Sequence, residues 1–443
     1  MAPAIDRVPG DPTMPSRTRV VVIGGGIIGV STAFFLARKG VPVVLCEKGE
    51  IAGEQSSRNW GWCRKMGRDP REVPLAQEAL RLWPEMDSLI GGETGFRRSG
   101  IVYLCRTQTE LAKREAWLEH VGKPFQLDSR LLTRDEMNRV LPGLAGSWAG
   151  GLSTPSDGKA EPAHAAPAIA KAARRLGATI LTQCAVRGIE TAGGRIAGVV
   201  TERGTIACQS VVLAGGVWSR LFCQPLLLRL PQLKVLSSVM RTEPLPGGPE
   251  VSAGGFGFGL RKRLDGGYTV ASWSANIVEI VPDTFRFMRD FFPAMRMHRQ
   301  ELRLRLGGSF VHELVRPKQW KLDQPSPFEA VRTLDPRPQQ PILAQARKHV
   351  TAAFPVFHAM RVAETWGGMI DVTPDGIPVI SPVEALPGFF IATGFTGHGF
   401  GIAPAAGRLM AELVLGDAPV VDPAPFRYSR FSDGSRPEPS PLA

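Results

Sequence analysis

The residues with the most explicit chemistry lie near the amino terminus: Gly24-Gly25-Gly26-Ile27-Ile28-Gly29, followed by the acidic Glu47 and its neighbour Lys48. A G-x-G-x-x-G run binds a dinucleotide when a strand precedes it and a helix follows. Gly24 permits the tight turn, Gly26 lets backbone N–H groups approach a pyrophosphate, and Gly29 lets the helix pack on the strand. The helix N-terminus at Ile27 and Ile28 adds partial positive charge, and Glu47 can accept hydrogen bonds from a ribose diol. Taken alone, the motif does not separate FAD from NAD.

Later segments make that separation. Gly53 to Asn59 offers the donors of Gln55, Ser56, Ser57 and Arg58 where the diphosphate and ribityl chain of an extended FAD would continue. Val186 and the distant run Ala214-Gly215-Gly216-Val217-Trp218 add further candidate contacts. Near the other end, Gly394-Phe395-Thr396-Gly397-His398-Gly399-Phe400-Gly401 leads into a helix. Its N–H groups can face an electron-rich flavin ring and stabilise the reduced anion. An NAD-dependent dehydrogenase has no use for that third segment.

The elements that must hold these residues follow from periodicity. RVVVIGGG reads as a buried parallel strand, IIGVSTAFFLARKG as a helix ending at Gly40, and VPVVLCEK as the next strand, which makes one βαβ unit. EPAHAAPAIAKAARRLGATI is an Ala-rich helix feeding a strand. A β-meander follows, with turns at Gly193-Gly194 and Gly204. APAAGRLMAELVLG is the last helix. The fold expected is α/β, a discontinuous Rossmann-type FAD-binding domain plus an α+β substrate domain with an antiparallel sheet and a helical insertion. We allot residues 18–90, 151–225 and 356–443 to the cofactor, 91–150 and 226–355 to the substrate, and 1–17 to a disordered tail.

The combined pattern resembles the glycine and D-amino-acid oxidase superfamily of flavoenzymes. Within it the chain is most similar to bacterial L-amino-acid deaminases, through IAGEQSSR, TQCAVRGIETAGGRI, VVLAGGVWSRLF, WKLDQPSPFEAVR, FPVFHAMRVAETWGG and VVDPAPFRYSRF. The resemblance implies oxidation of an α-amino acid to an imino acid, hydrolysed to a 2-oxo acid and ammonia. It implies Arg261 as the anchor of the substrate carboxylate, a task that suits a bidentate guanidinium. Trp62 falls where those deaminases carry a pocket-lining glutamine. Trp366, with Gly367 and Gly368, precedes a turn, Thr373-Pro374-Asp375, like the flavin-proximal turn of the superfamily. Sarcosine oxidases attach flavin through a cysteine at the position of Gly368, so noncovalent FAD is expected. His398 is a candidate base, with packing beside the flavin as its other reading. Hydride transfer from Cα to flavin N5 needs no side-chain base, and a rate rising with pH would reflect deprotonation of the substrate ammonium.

Composition narrows the partners. A net charge of +12, spread along 443 residues without a polybasic tract, favours an anionic substrate or surface over nucleic acid. Cys46, Cys63, Cys105, Cys184, Cys208 and Cys223 show no metal-ligand or disulfide spacing and read as reduced thiols, with no metal site. The first eighteen residues lack the apolar run of a signal peptide, so a cytoplasmic location is expected. Residues 285–297, FRFMRDFFPAMRM, mix aromatic and basic residues. They suit either a helix covering the substrate domain or peripheral contact with the inner face of the cell membrane. The electron acceptor is oxygen or a quinone. D-amino acids, glycine or a secondary amine such as sarcosine remain alternative substrates, and an FAD-housing electron-transfer subunit remains an alternative role.

Overall fold

The computed structural model describes residues 3–273, 276–299 and 302–440. Two sheets organise it. The first has six strands in the order 379–382, 389–393, 210–213, 20–23, 43–46 and 179–181, all parallel except the antiparallel pairing of its edge strand Val379–Pro382. Its inner strands are buried on both faces, as their unbroken apolar runs require. The helices Ile27–Arg38, Pro162–Arg175 and Gly399–Leu415 pack on one another against this sheet. The expected β-meander forms from Val186–Ala192, Arg195–Thr201 and Gly204–Ala207.

The second sheet has ten strands and is mainly antiparallel. Two pairings in it are parallel, Ser252–Gly255 with Ile101–Cys105 and Asn276–Glu279 with Leu302–Arg305. Its longest ladder joins Leu233–Thr242 to Val362–Val372. This ladder corrects the expected allotment of 356–443 to the cofactor side, because Val362–Val372 belongs to the second sheet. Gly150–Thr154 does too, through its ladder with Ile101–Cys105, so the segment beginning at 151 also starts on the substrate side. These pairings join segments far apart in sequence, the longer ladder by more than a hundred residues, which local pattern does not reveal.

The amino-terminal tail is a second correction. From Pro3 onward it lies along the Pro162–Arg175 helix and the Thr179–Leu181 strand. Asp6 N–H donates to the Ala163 carbonyl (3.1 Å), and Asp11 exchanges backbone and side-chain hydrogen bonds with Ile180 (2.7 Å each). Arg174 pairs with Asp11 at 3.2 Å, and Val8 is buried. One buried valine and these bonds offset the ordering entropy that the prolines had already reduced. The six cysteines are buried and unpaired.

Candidate functional site

A cavity of about 410 Å³ runs from the first βαβ unit to the start of the last long helix. At one end the glycines form a cradle with no room for side chains. Gly24 adopts φ +110°, and a Cβ there would overlap the Ala214 carbonyl; one on Gly29 would overlap the Gly24 carbonyl. Ser56 Oγ accepts from Ile27 N–H at 2.7 Å and stands over Gly26. The Glu47 carboxylate accepts from Gly25 N–H (2.6 Å) and Gly49 N–H (2.7 Å). Burial raises its pKa against the lowering effect of those two amides. Lys48 pairs with Glu54 (2.9 Å), donates to the Val331 and Arg332 carbonyls, and lies over the Trp218 ring.

The far end is built where the second sheet meets the last helix. Gly394, Gly397 and Thr396 all hold positive φ, turning the chain sharply into Gly399–Leu415. Asp371, at the end of the long strand, accepts from Gly394 N–H (2.6 Å), Thr393 Oγ1 (3.1 Å) and Gln232 (3.0 Å), fixing that turn. A Cβ on Gly401 would stand 2.8 Å from the Trp62 carbonyl oxygen, so helix and strand touch backbone to backbone. Trp60, Trp62 and Trp273 form an aromatic triangle with centroids 5.4, 5.8 and 5.9 Å apart, closed below by Tyr103. Next to it lies a charged group: His398 Nδ1 is 3.5 Å from Glu72, its Nε2 is 3.4 Å from Arg64, and Arg68 is 3.8 Å from Glu72. Burial would raise Glu72, but the hydrogen bond from His398 and the charges of Arg68 and Arg64 hold it below its ordinary value. Burial, with Arg68 beside it, lowers His398 to about 4. The ring keeps 30% of its surface, yet that surface opens into the cavity. The imidazole is therefore neutral at pH 7, and of the two guanidiniums Arg68 alone is paired with Glu72.

The FAD dependent oxidoreductase family (DAO) matches residues 19–413. The chain belongs to this family. It is similar to the L-amino acid deaminase of Proteus myxofaciens in complex with anthranilate (34% identity, 98% of each chain covered, TM-score 0.94). The L-amino acid deaminase of Proteus vulgaris is similar as well (33% identity, 96% of this chain and 100% of that one, TM-score 0.92). Among curated relatives, 4-methylaminobutanoate oxidase (formaldehyde-forming) of Paenarthrobacter nicotinovorans is 24% identical over 95% of this chain, which spans 46% of that protein's length. The protein is an FAD-dependent oxidoreductase of amino acids or amines.

The cradle fits FAD on its own geometry: the three motif glycines admit no Cβ without displacing backbone or Ser56, and the cavity continues past them to the helix start. Of the residues expected to hold the cofactor, Gly24, Gly26, Ile27, Ile28, Glu47, Lys48, Gln55, Ser56, Arg58, Val186, Ala214, Gly215, Trp218, Gly368, Gly397, His398, Gly399 and Phe400 line the cavity. Gly29 and Gly394 lie just behind it, one packing the helix and one shaping the turn. Ser57 is turned away, its hydroxyl bonded to the Glu54 carbonyl at 3.3 Å.

Two expected catalytic residues of this oxidoreductase are displaced. Arg261 is buried away from the cavity, in a two-pronged pair with Glu161 (2.7 and 3.1 Å), and is thus already neutralised. Trp366 donates its indole N–H to the Arg58 carbonyl at 3.0 Å and packs with Val239 and Ala271 behind the wall. Trp62 and His398 do line the cavity. Sequence reasoning missed Trp60, Arg64, Arg68 and Trp273. A signal for the first two was present, since Trp60, Trp62 and Arg64 alternate along an extended stretch, which puts them on one side.

Proposed function

We propose that the protein oxidatively deaminates an L-amino acid to its 2-oxo acid and ammonia. The reading is carried by the far end of the cavity, where an aromatic wall and the Arg64 guanidinium, outside every ion pair among the described residues, adjoin the last helix. An α-amino acid presents the complementary pair, a carboxylate and a side chain. The Proteus myxofaciens deaminase, which binds the aromatic amino-carboxylate anthranilate, supports the same reading. Noncovalent FAD, held by the cradle residues above, supplies the acceptor for the two electrons leaving Cα. The chain's own part is to hold the substrate, exclude water with the three indoles, and present the N–H groups at Gly399 and Phe400 to negative charge developing at the helix start. A neutral His398 of such low basicity does not take the substrate's ammonium proton, which leaves to solvent before the C–H bond breaks. Anaerobic bleaching of the flavin by a panel of L- and D-amino acids and sarcosine tests the proposal. Bleaching by L-amino acids is expected, and bleaching by D-amino acids or sarcosine alone would replace it.

Residues 285–315 support a reading of the electron acceptor and location. Phe287 and Phe291 are buried against Leu233, whereas Phe285, Met288, Phe292 and Met297 are exposed, as are Leu304, Leu306, Val311 and Val315 nearby. Exposed Arg289, Arg296, Arg299 and Arg303 flank them. This mixture suits an anionic membrane surface, with a membrane quinone taking the electrons and oxygen as the alternative. Among the described residues no helix is long and apolar enough to cross a membrane. Co-sedimentation with phosphatidylglycerol vesicles at low salt, lost in a Phe285→Ser/Phe292→Ser double variant, is the expected result.

A further inference from the structure

Five cationic side chains border the cavity, and four already face a carboxylate. Lys48 pairs with Glu54, Arg58 with Asp335 (2.6 Å), Arg68 with Glu72, and Arg332 with Glu202 (2.5 Å). Arg64 is the exception. Among the described residues no carboxylate lies within salt-bridge distance of it. Its guanidinium donates to the Met66 and Gly67 carbonyls, approaches His398, and lies 5.8 Å from the Tyr103 ring centre. The segment that presents it is pinned, because the buried Asp157 carboxylate accepts from the Lys65 (2.9 Å) and Met66 (3.3 Å) amides.

We infer that Arg64, not Arg261, anchors the substrate carboxylate, and that the adjoining Trp60, Trp62 and Trp273 select an apolar or aromatic side chain. The inference rests on the amino-acid reading above and names its substrate class. Arg64 spends one nitrogen on two backbone carbonyls and makes no ion pair among the described residues, so a substrate carboxylate can accept charge-assisted hydrogen bonds from its remaining N–H groups. Three indoles present a broad apolar face on the same wall and no acceptor for a polar side chain. A cationic side chain would meet the Arg64 and Arg68 guanidiniums, and an acidic one would meet indole rings.

Binding of non-reacting ligands separates this inference from the catalytic reading. Benzoate, benzamide and acetate are titrated into the FAD-loaded wild type and the Arg64→Gln and Arg64→Lys variants, following perturbation of the flavin spectrum and calorimetric heat. Wild type is expected to bind benzoate about 100-fold more tightly than benzamide, and at least about 10-fold more tightly than acetate. Arg64→Gln abolishes the preference for benzoate over benzamide, and Arg64→Lys restores part of it. If Arg64→Gln keeps its flavin spectrum and still binds benzoate like wild type, the anchor is elsewhere. Should Arg64→Gln not fold, failure of Arg64→Lys to alter benzoate affinity overturns the assignment equally. Equal binding of acetate and benzoate by wild type overturns the aromatic half. Failure of every L-amino acid to bleach the flavin would remove the deaminase reading while these ligand preferences stood.

Discussion

The molecule holds one buried arginine cluster, around Arg261, and one partly open to the cavity, around Arg64, and they are built on opposite terms. Around Arg261 the charges cancel: one guanidinium, one carboxylate, and Glu161 also accepting from the Leu264 amide at 2.9 Å. Around Arg64 there is no such pair among the described residues. Arg68 takes Glu72, His398 is held neutral, and Arg64 keeps carbonyl and ring partners. Glu161 is spent on protein donors and holds the Arg261 guanidinium, of which Nε–H alone stays unpartnered. A partly open guanidinium with no ion pair has more to offer a ligand, so local pairing separates scaffold from site better than residue type.

The comparison can be broken by removing one partner from each side. Glu161→Gln leaves Arg261 buried without its counter-ion and is expected to cost about 3–5 kcal/mol of stability, read as a lower midpoint in urea. Arg64→Gln, whose partners are carbonyls and a ring, is expected to cost about 1 kcal/mol. Equal losses would abolish the distinction. Next in size, Glu72→Gln removes the carboxylate paired with Arg68 and should tighten benzoate binding several-fold while lowering stability; weaker binding would show that the cluster's charge is not what attracts the anion.

The smallest effect concerns pH. The folded chain holds His398 near 4, below the ordinary histidine value of about 6.5, so between those values the unfolded chain binds the additional proton. Stability from this group is present above pH 6.5 and is lost as pH falls toward 4. His398→Gln should flatten that part of the stability profile, measured by urea midpoints at pH 4.5, 5.5 and 7. An unchanged slope would mean that the imidazole already sits protonated against Glu72, with Arg64 and Arg68 turned away.

How far the sequence could be read follows the same divide between local and distant. The glycine cradle was legible because each glycine's task is set by neighbours within a few residues or by the immediately adjoining strand. The helix at Gly399 was legible from its glycine turn. Arg261 was misread because its partner Glu161 is a hundred residues away, and a sequence shows a guanidinium without showing what neutralises it. The Val362–Val372 strand was misplaced for a similar reason, its ladder with Leu233–Thr242 being invisible to periodicity. The tail was judged by its prolines, although Val8 and Asp11 find binding places on elements that form much later in the chain. Trp60, Trp62 and Arg64 were within reach, through alternation in N-W-G-W-C-R.

The contact between Gly401 and the Trp62 carbonyl sets a limit on how this pocket can be altered. With no side chain between them, the substrate wall and the helix start form one rigid piece, and close-packed backbone transmits displacement instead of absorbing it. Shifting the strand to admit a larger substrate would drag the helix N-terminus with it. On this segment, substrate preference is therefore free to drift through the side chains of Trp60, Trp62 and Arg64, while the path of the chain beneath them stays tied to the helix start.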